Sequence, residues 1–118
     1  MLNDSQIAEA ARELHDAERE RRQIRPVSLD FPDMEIADSY AIQDVWMAMK
    51  VAEGRTVRGR KIGLTSRVMQ QAMHIDEPDY GTLLDDMFFE DGAEIEAAQF
   101  TDPRLEVELA FVLKRPLS

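Results

Sequence analysis

Cysteine is absent from these 118 residues, which excludes disulfides and thiolate metal sites and makes a cytoplasmic location the default expectation. No apolar run approaches the ~18 residues of a membrane-spanning helix. The opening Met1-Leu2-Asn3-Asp4 lacks the basic and apolar regions of a secretion signal. Positive charge is scarce. With 14 Lys and Arg against 24 Asp and Glu, the net charge of −10 argues against nucleic acid, and no membrane partner is expected. The local cluster Arg19, Arg21, Arg22 and Arg25 is interleaved with Glu18 and Glu20, and reads as a solvated, mixed-charge helix face. Repeats and low-complexity tracts are missing. What is present, 44% hydrophobic and 32% charged residues, fits one small domain with a modest core.

Two helices come first. Ile7, Ala11, Leu14 and Ala17 recur at helical spacing after the capping candidates Asp4 and Ser5, predicting a helix from about Ser5 to Gln23 that ends before Pro26. Residues 28–34 form a connector broken by Pro32. A second helix is predicted over Ile36–Ala52, with Asp38 near its start, Lys50 near its end and Gly54 just beyond. Ile42, Val45, Trp46 and Met49 make its apolar stripe, so Trp46 reads as core.

The texture then turns to strands. Residues 56–66 read as a strand running into a loop, with Ser66 capping a short helix through Met73. Residues 76–81 read as a turn-rich loop, and Leu83 to Phe89 as a buried strand or strand pair. Asp91-Gly92 signals a hairpin before a strand around Ala93 to Ile95. Pro103 introduces a last strand through Leu113. The expected class is α+β, with a helical region over 1–55 and β-structure over 56–118.

Glu106 and Glu108 carry the chemistry of that last strand. Alternate strand residues share a face, so both carboxylates point the same way with Cα atoms roughly 6.5 Å apart. Leu105, Val107, Leu109 and Phe111 are then expected to face a core. Two such carboxylates can converge on a hard cation, but spacing alone favours the wet face of an amphipathic strand. Lys61 lies between Gly59 and Gly63. It reads either as an exposed strand lysine or as a group that holds a substrate carboxylate or moves a proton. His15 reads as solvated, and His74 as a loop residue with a minor claim on substrate. Asp79, Tyr80, Asp85 and Asp86 are further candidates, for which turn and cap roles lead. An acidic chain that handles an anionic substrate needs a cation in its site.

Four segments in order change the odds: residues 59–66, 77–81, 84–89 and 103–111. Together they resemble the hydratase/decarboxylase branch of the fumarylacetoacetase superfamily, along essentially the whole chain. The resemblance implies a Mg²⁺ or Mn²⁺ enzyme with Glu106 and Glu108 as metal ligands, Lys61 as the catalytic lysine, and Asp79 and Tyr80 in the substrate pocket. It implies part of a mixed β-barrel or roll, a homo-oligomer, and a small 2-oxo dicarboxylate substrate. The implied reaction is hydration of 2-oxohept-3-ene-1,7-dioate in aromatic catabolism. Alternatives are hydration of 2-hydroxypenta-2,4-dienoate, decarboxylation of 4-oxalocrotonate, or a non-catalytic subunit of a split enzyme. The family's third metal carboxylate lies downstream of Glu108, and its members are more than twice this length. The resemblance therefore implies an N-terminal fragment, weakly active or inactive alone.

Overall fold

The computed structural model describes residues 1–116. Its elements are α1 (Asp4–Glu20), α2 (Val27–Asp30), α3 (Ile36–Ala52), β1 (Val57–Gly63), α4 (Arg67–Met73) and β2 (Asp79–Leu84), followed by two short 3-10 turns. The mixed helix-and-strand class is as expected.

Helix α1 starts one residue earlier than Asp4 and Ser5 imply. Asn3 is the cap, its side chain accepting from the Gln6 N–H while Gln6 Oε1 accepts from the Asn3 N–H, both at 3.0 Å. That reciprocal pair satisfies two otherwise orphaned donors. The helix ends at Arg21 in the left-handed region, φ 54°, short of the expected Gln23. Helix α3 has the predicted bounds, and Gly54 follows it with φ +98°, where a glycine carries no steric penalty.

The two long helices pack on each other through Ala10, Ala11 and Ile42. Small residues at the crossing let the backbones approach, and Ile7, Leu14, Val45, Trp46 and Met49 close around them. Asp38 fastens the ends together. Its carboxylate accepts from the Glu35 N–H at 2.8 Å and from the Leu2 N–H at 3.0 Å, so one buried side chain caps α3 and ties down the start of the chain. Those N–H donors hold the Asp38 carboxyl below its usual pKa, burial opposing them. Lys50, also buried, pairs with Glu18 of α1 and lies over the Trp46 ring.

Strands β1 and β2 pair antiparallel, with Lys61 opposite Gly81, Gly63 opposite Asp79, and an irregularity between Val57 and Gly59. The second strand thus begins at Asp79, inside the segment expected to be a loop, and Phe88 and Phe89 lie beyond it. Leu84 is fully buried where the strand ends. Asp85 accepts from the Thr56 N–H at 3.1 Å, bracing the start of β1 and holding the Asp85 carboxyl low. Ser66 caps α4 as predicted, accepting from the Met69 N–H.

Two expected strands do not form among the described residues. Ala93–Ile95 has no strand pairing, although Gly92 turns the chain with φ +79°. Residues 103–113 are likewise unpaired, and Leu105, Val107, Leu109 and Phe111 are 84–105% exposed instead of facing a core. A strand needs a neighbour for its backbone groups, and this one has none here.

Candidate metal and substrate site

Lys61 is the meeting point. It sits in the middle of β1 opposite Gly81, whose missing side chain leaves room along the lysine stem: a Cβ there would lie 3.8 Å from Lys61 Cγ. The ammonium Nζ stands 3.4 Å from Glu108 Oε1 and 4.0 Å from Glu106 Oε2. Residues 47 apart in sequence are thereby joined, and the two carboxylates converge on one cationic atom. Both acids reach the same ammonium even without strand pairing, as the alternation of an extended segment allows.

All three groups are solvated, with Lys61, Glu106 and Glu108 side chains 43%, 70% and 52% exposed. In water such an ion pair contributes about 0–1 kcal/mol. The contact therefore marks proximity rather than a strong lock.

Asp79 and Tyr80 part company. Asp79 shares the Lys61 face of the sheet by alternation, and its carboxylate overhangs Gly63, where a Cβ would come within 2.3 Å of Oδ1. Tyr80 stacks on Tyr40 of α3, ring centroids 4.3 Å apart and planes 11° from parallel. Gln43 reinforces that junction by donating to the Tyr80 carbonyl at 3.4 Å and accepting from the Thr82 N–H at 3.2 Å. The amide of Gln43 thus substitutes for a neighbouring strand along β2. Nothing in the sequence singled out Gln43; its only signal is a polar amide directly beside the apolar stripe of α3.

His74 lines an open cavity of about 710 Å³ along α4 with Arg67, Gln70, Gln71, Ile75 and Asp76, none of which belongs to the Lys61 cluster. His15 is not solvated as expected. Its side chain is 12% exposed, with Nε2 3.0 Å from Glu53 Oε1 across the α1–α3 interface. Asp85 and Asp86 serve the fold, Asp86 pairing with Arg55 at 3.4 Å.

The donor set fits a hard divalent cation in kind and in convergence, since two carboxylates already point at one positive centre. It falls short in number: among the described residues no group of three or more His, Asp or Glu side chains is arranged to hold a metal. Mg²⁺ prefers six oxygen ligands, so two carboxylates leave most positions to water or substrate. Among the same residues, no helix is long and apolar enough to cross a membrane.

No protein-family model matches the sequence. Individual relatives do. A 2-oxo-hept-4-ene-1,7-dioate hydratase of Escherichia coli is 58% identical over 107 residues, covering 91% of this chain and 40% of the relative. A 2-keto-4-pentenoate hydratase of Paraburkholderia xenovorans (strain LB400) is 44% identical over 116 residues, covering 98% of this chain and 43% of the relative. In structure, the 4-oxalocrotonate decarboxylase of Pseudomonas putida G7, complexed with magnesium and adipate, matches 73% of this chain and 33% of its own with a TM-score of 0.71 and 35% identity. The same decarboxylase is also known complexed with calcium and acetate. The chain spans about two fifths of the length of the curated relatives it matches. Over that span it is similar to enzymes, both hydratases and a decarboxylase.

Proposed function

We propose that Lys61, Glu106 and Glu108 form part of the active site of a divalent-metal-dependent hydratase acting on a 2-oxoheptene-1,7-dioate. The convergence of both carboxylates on the Lys61 ammonium carries this reading. The 58% identity to the E. coli hydratase supports the substrate class, and the magnesium and adipate bound to the P. putida decarboxylase support a site for a cation and a dicarboxylate.

Glu106 and Glu108 would hold Mg²⁺ or Mn²⁺, which supplies Lewis-acid stabilisation of negative charge on the 2-oxo oxygen when bound. Relieved of the two glutamates, Lys61 Nζ holds a substrate carboxylate or moves a proton. The proton traffic is defined by the substrate. Moving one from C3 to C5 converts the 4-ene of the E. coli relative's name into the conjugated 3-ene that the family resemblance implies. Water then adds hydroxyl at C4 and hydrogen at C3, giving a 4-hydroxy-2-oxo product. Asp79, on the Lys61 face, and Tyr80, held against Tyr40, line the substrate pocket in this reading.

A second reading, decarboxylation of 4-oxalocrotonate, is favoured by the fold match to the decarboxylase. The higher identity to a hydratase supports hydration as the first reading. Extending the chain with the remaining portion of the E. coli relative and supplying Mg²⁺ separates them: hydration consumes the heptenedioate without releasing CO₂, whereas decarboxylation of 4-oxalocrotonate releases it. The 118 residues alone are expected to turn over weakly or not at all. Turnover by them comparable to the extended enzyme overturns the half-site reading.

A further inference from the structure

We infer that Gln43 of α3 is a positioning residue for Lys61, fixing the stretch of β2 against which the lysine stem lies. The inference rests on the hydratase reading for what Lys61 does, and adds what holds it in place.

Gln43 bonds β2 on both sides of one residue. It donates to the Tyr80 carbonyl and accepts from the Thr82 N–H, with Gly81 between them. Gly81 is the residue directly opposite Lys61 in the sheet. A Cβ on Gly81 would stand 3.7 Å from Gln43 Oε1 and 3.8 Å from Lys61 Cγ. One residue without a side chain thus separates the half-buried amide from the lysine stem.

The anchor behind Gln43 is firm. Its neighbour Ile42 is buried in the α1–α3 core, and Tyr40, on the same side of α3, stacks on Tyr80. A two-stranded sheet is marginal by itself and needs packing against another element. Among the described residues, the two Gln43 bonds are the only hydrogen bonds between α3 and either strand. The ammonium end of Lys61 meets two exposed carboxylates, which tie it only weakly. The lysine is therefore held from its backbone end, through β1, Gly81 and the glutamine behind it.

The test is solution NMR of the metal-free 118-residue chain, comparing wild type with Gln43→Met. Methionine keeps the side-chain length and helix propensity but loses both bonds. Thr82 amide exchange is expected to speed up about fivefold, the worth of one hydrogen bond. Overhauser contacts between the Lys61 Cγ protons and the Gly81 α-protons should weaken or vanish. Contacts between Lys50 and Trp46, which report on the helix, should stay. Gln43→Glu keeps an acceptor for the Thr82 N–H and should restore part of both signals. Unchanged Lys61–Gly81 contacts beside a faster Thr82 amide overturn the inference. Loss of the Lys50–Trp46 contacts in both variants also overturns it, because Gln43 then supports the fold as a whole. Neither metal nor substrate enters this test, so its failure is distinct from failure of the hydratase reading, which cation binding by Glu106 and Glu108 decides.

Discussion

Lys61 on β1 and Glu108, 47 residues further along, meet at 3.4 Å between Nζ and Oε1, and Glu106 joins them at 4.0 Å. A cation held by both carboxylates would therefore compete with the lysine ammonium for them.

Removing the lysine charge should therefore improve cation binding. Lys61→Met is expected to tighten Mg²⁺ or Mn²⁺ binding by the chain about two- to fivefold, the worth of an exposed ion pair. Titration calorimetry reads this directly. Weaker binding in the variant would mean that Lys61 arranges the carboxylates instead of competing at them.

Asp38 predicts an acid-sensitive fold. Its carboxyl titrates below the usual 3.8 because the Glu35 and Leu2 N–H groups bond the charged form. A depressed folded-state pKa contributes stability present above the unfolded value and lost as pH falls through the folded one. Thermal melts should show Asp38→Asn less stable than wild type near pH 7, the gap closing below about pH 4. A gap independent of pH would contradict the assignment.

Ile42, 3% exposed at the α1–α3 contact, tests the core. Ile42→Ala should cost about 2–5 kcal/mol in urea unfolding, as a large-to-small change in a packed site. Emission from Trp46, the only tryptophan, follows the same interface. A loss under 1 kcal/mol would show that the two helices do not form the stabilising unit.

What the sequence made legible follows from how local each cause is. Helix α3 came out with its exact bounds because its stripe, the acid at its start and Gly54 are all local. Ser66 was readable for the same reason. The role of Asp38 was only half readable: its place near the start of α3 was visible, but its bond to Leu2, 36 residues away, was not. Strand β2 was shifted because Glu77-Pro78-Asp79 resembles a turn, while pairing with Lys61, Ile62 and Gly63 draws Asp79 into the sheet. Residues 103–113 have a strand's alternation yet make no strand, since a ladder depends on a partner and not on pattern alone. Alternation did place Glu106 and Glu108 on one side, and the meeting with Lys61 is what sequence spacing could not supply.

The central claim is that Glu106 and Glu108 together hold a divalent cation. Titration of the purified chain with Mg²⁺ or Mn²⁺ by calorimetry tests it most directly. Weak binding is predicted, abolished in the Glu106→Ala/Glu108→Ala double variant while its thermal unfolding stays close to wild type. Binding that is unchanged in the double variant would contradict the account.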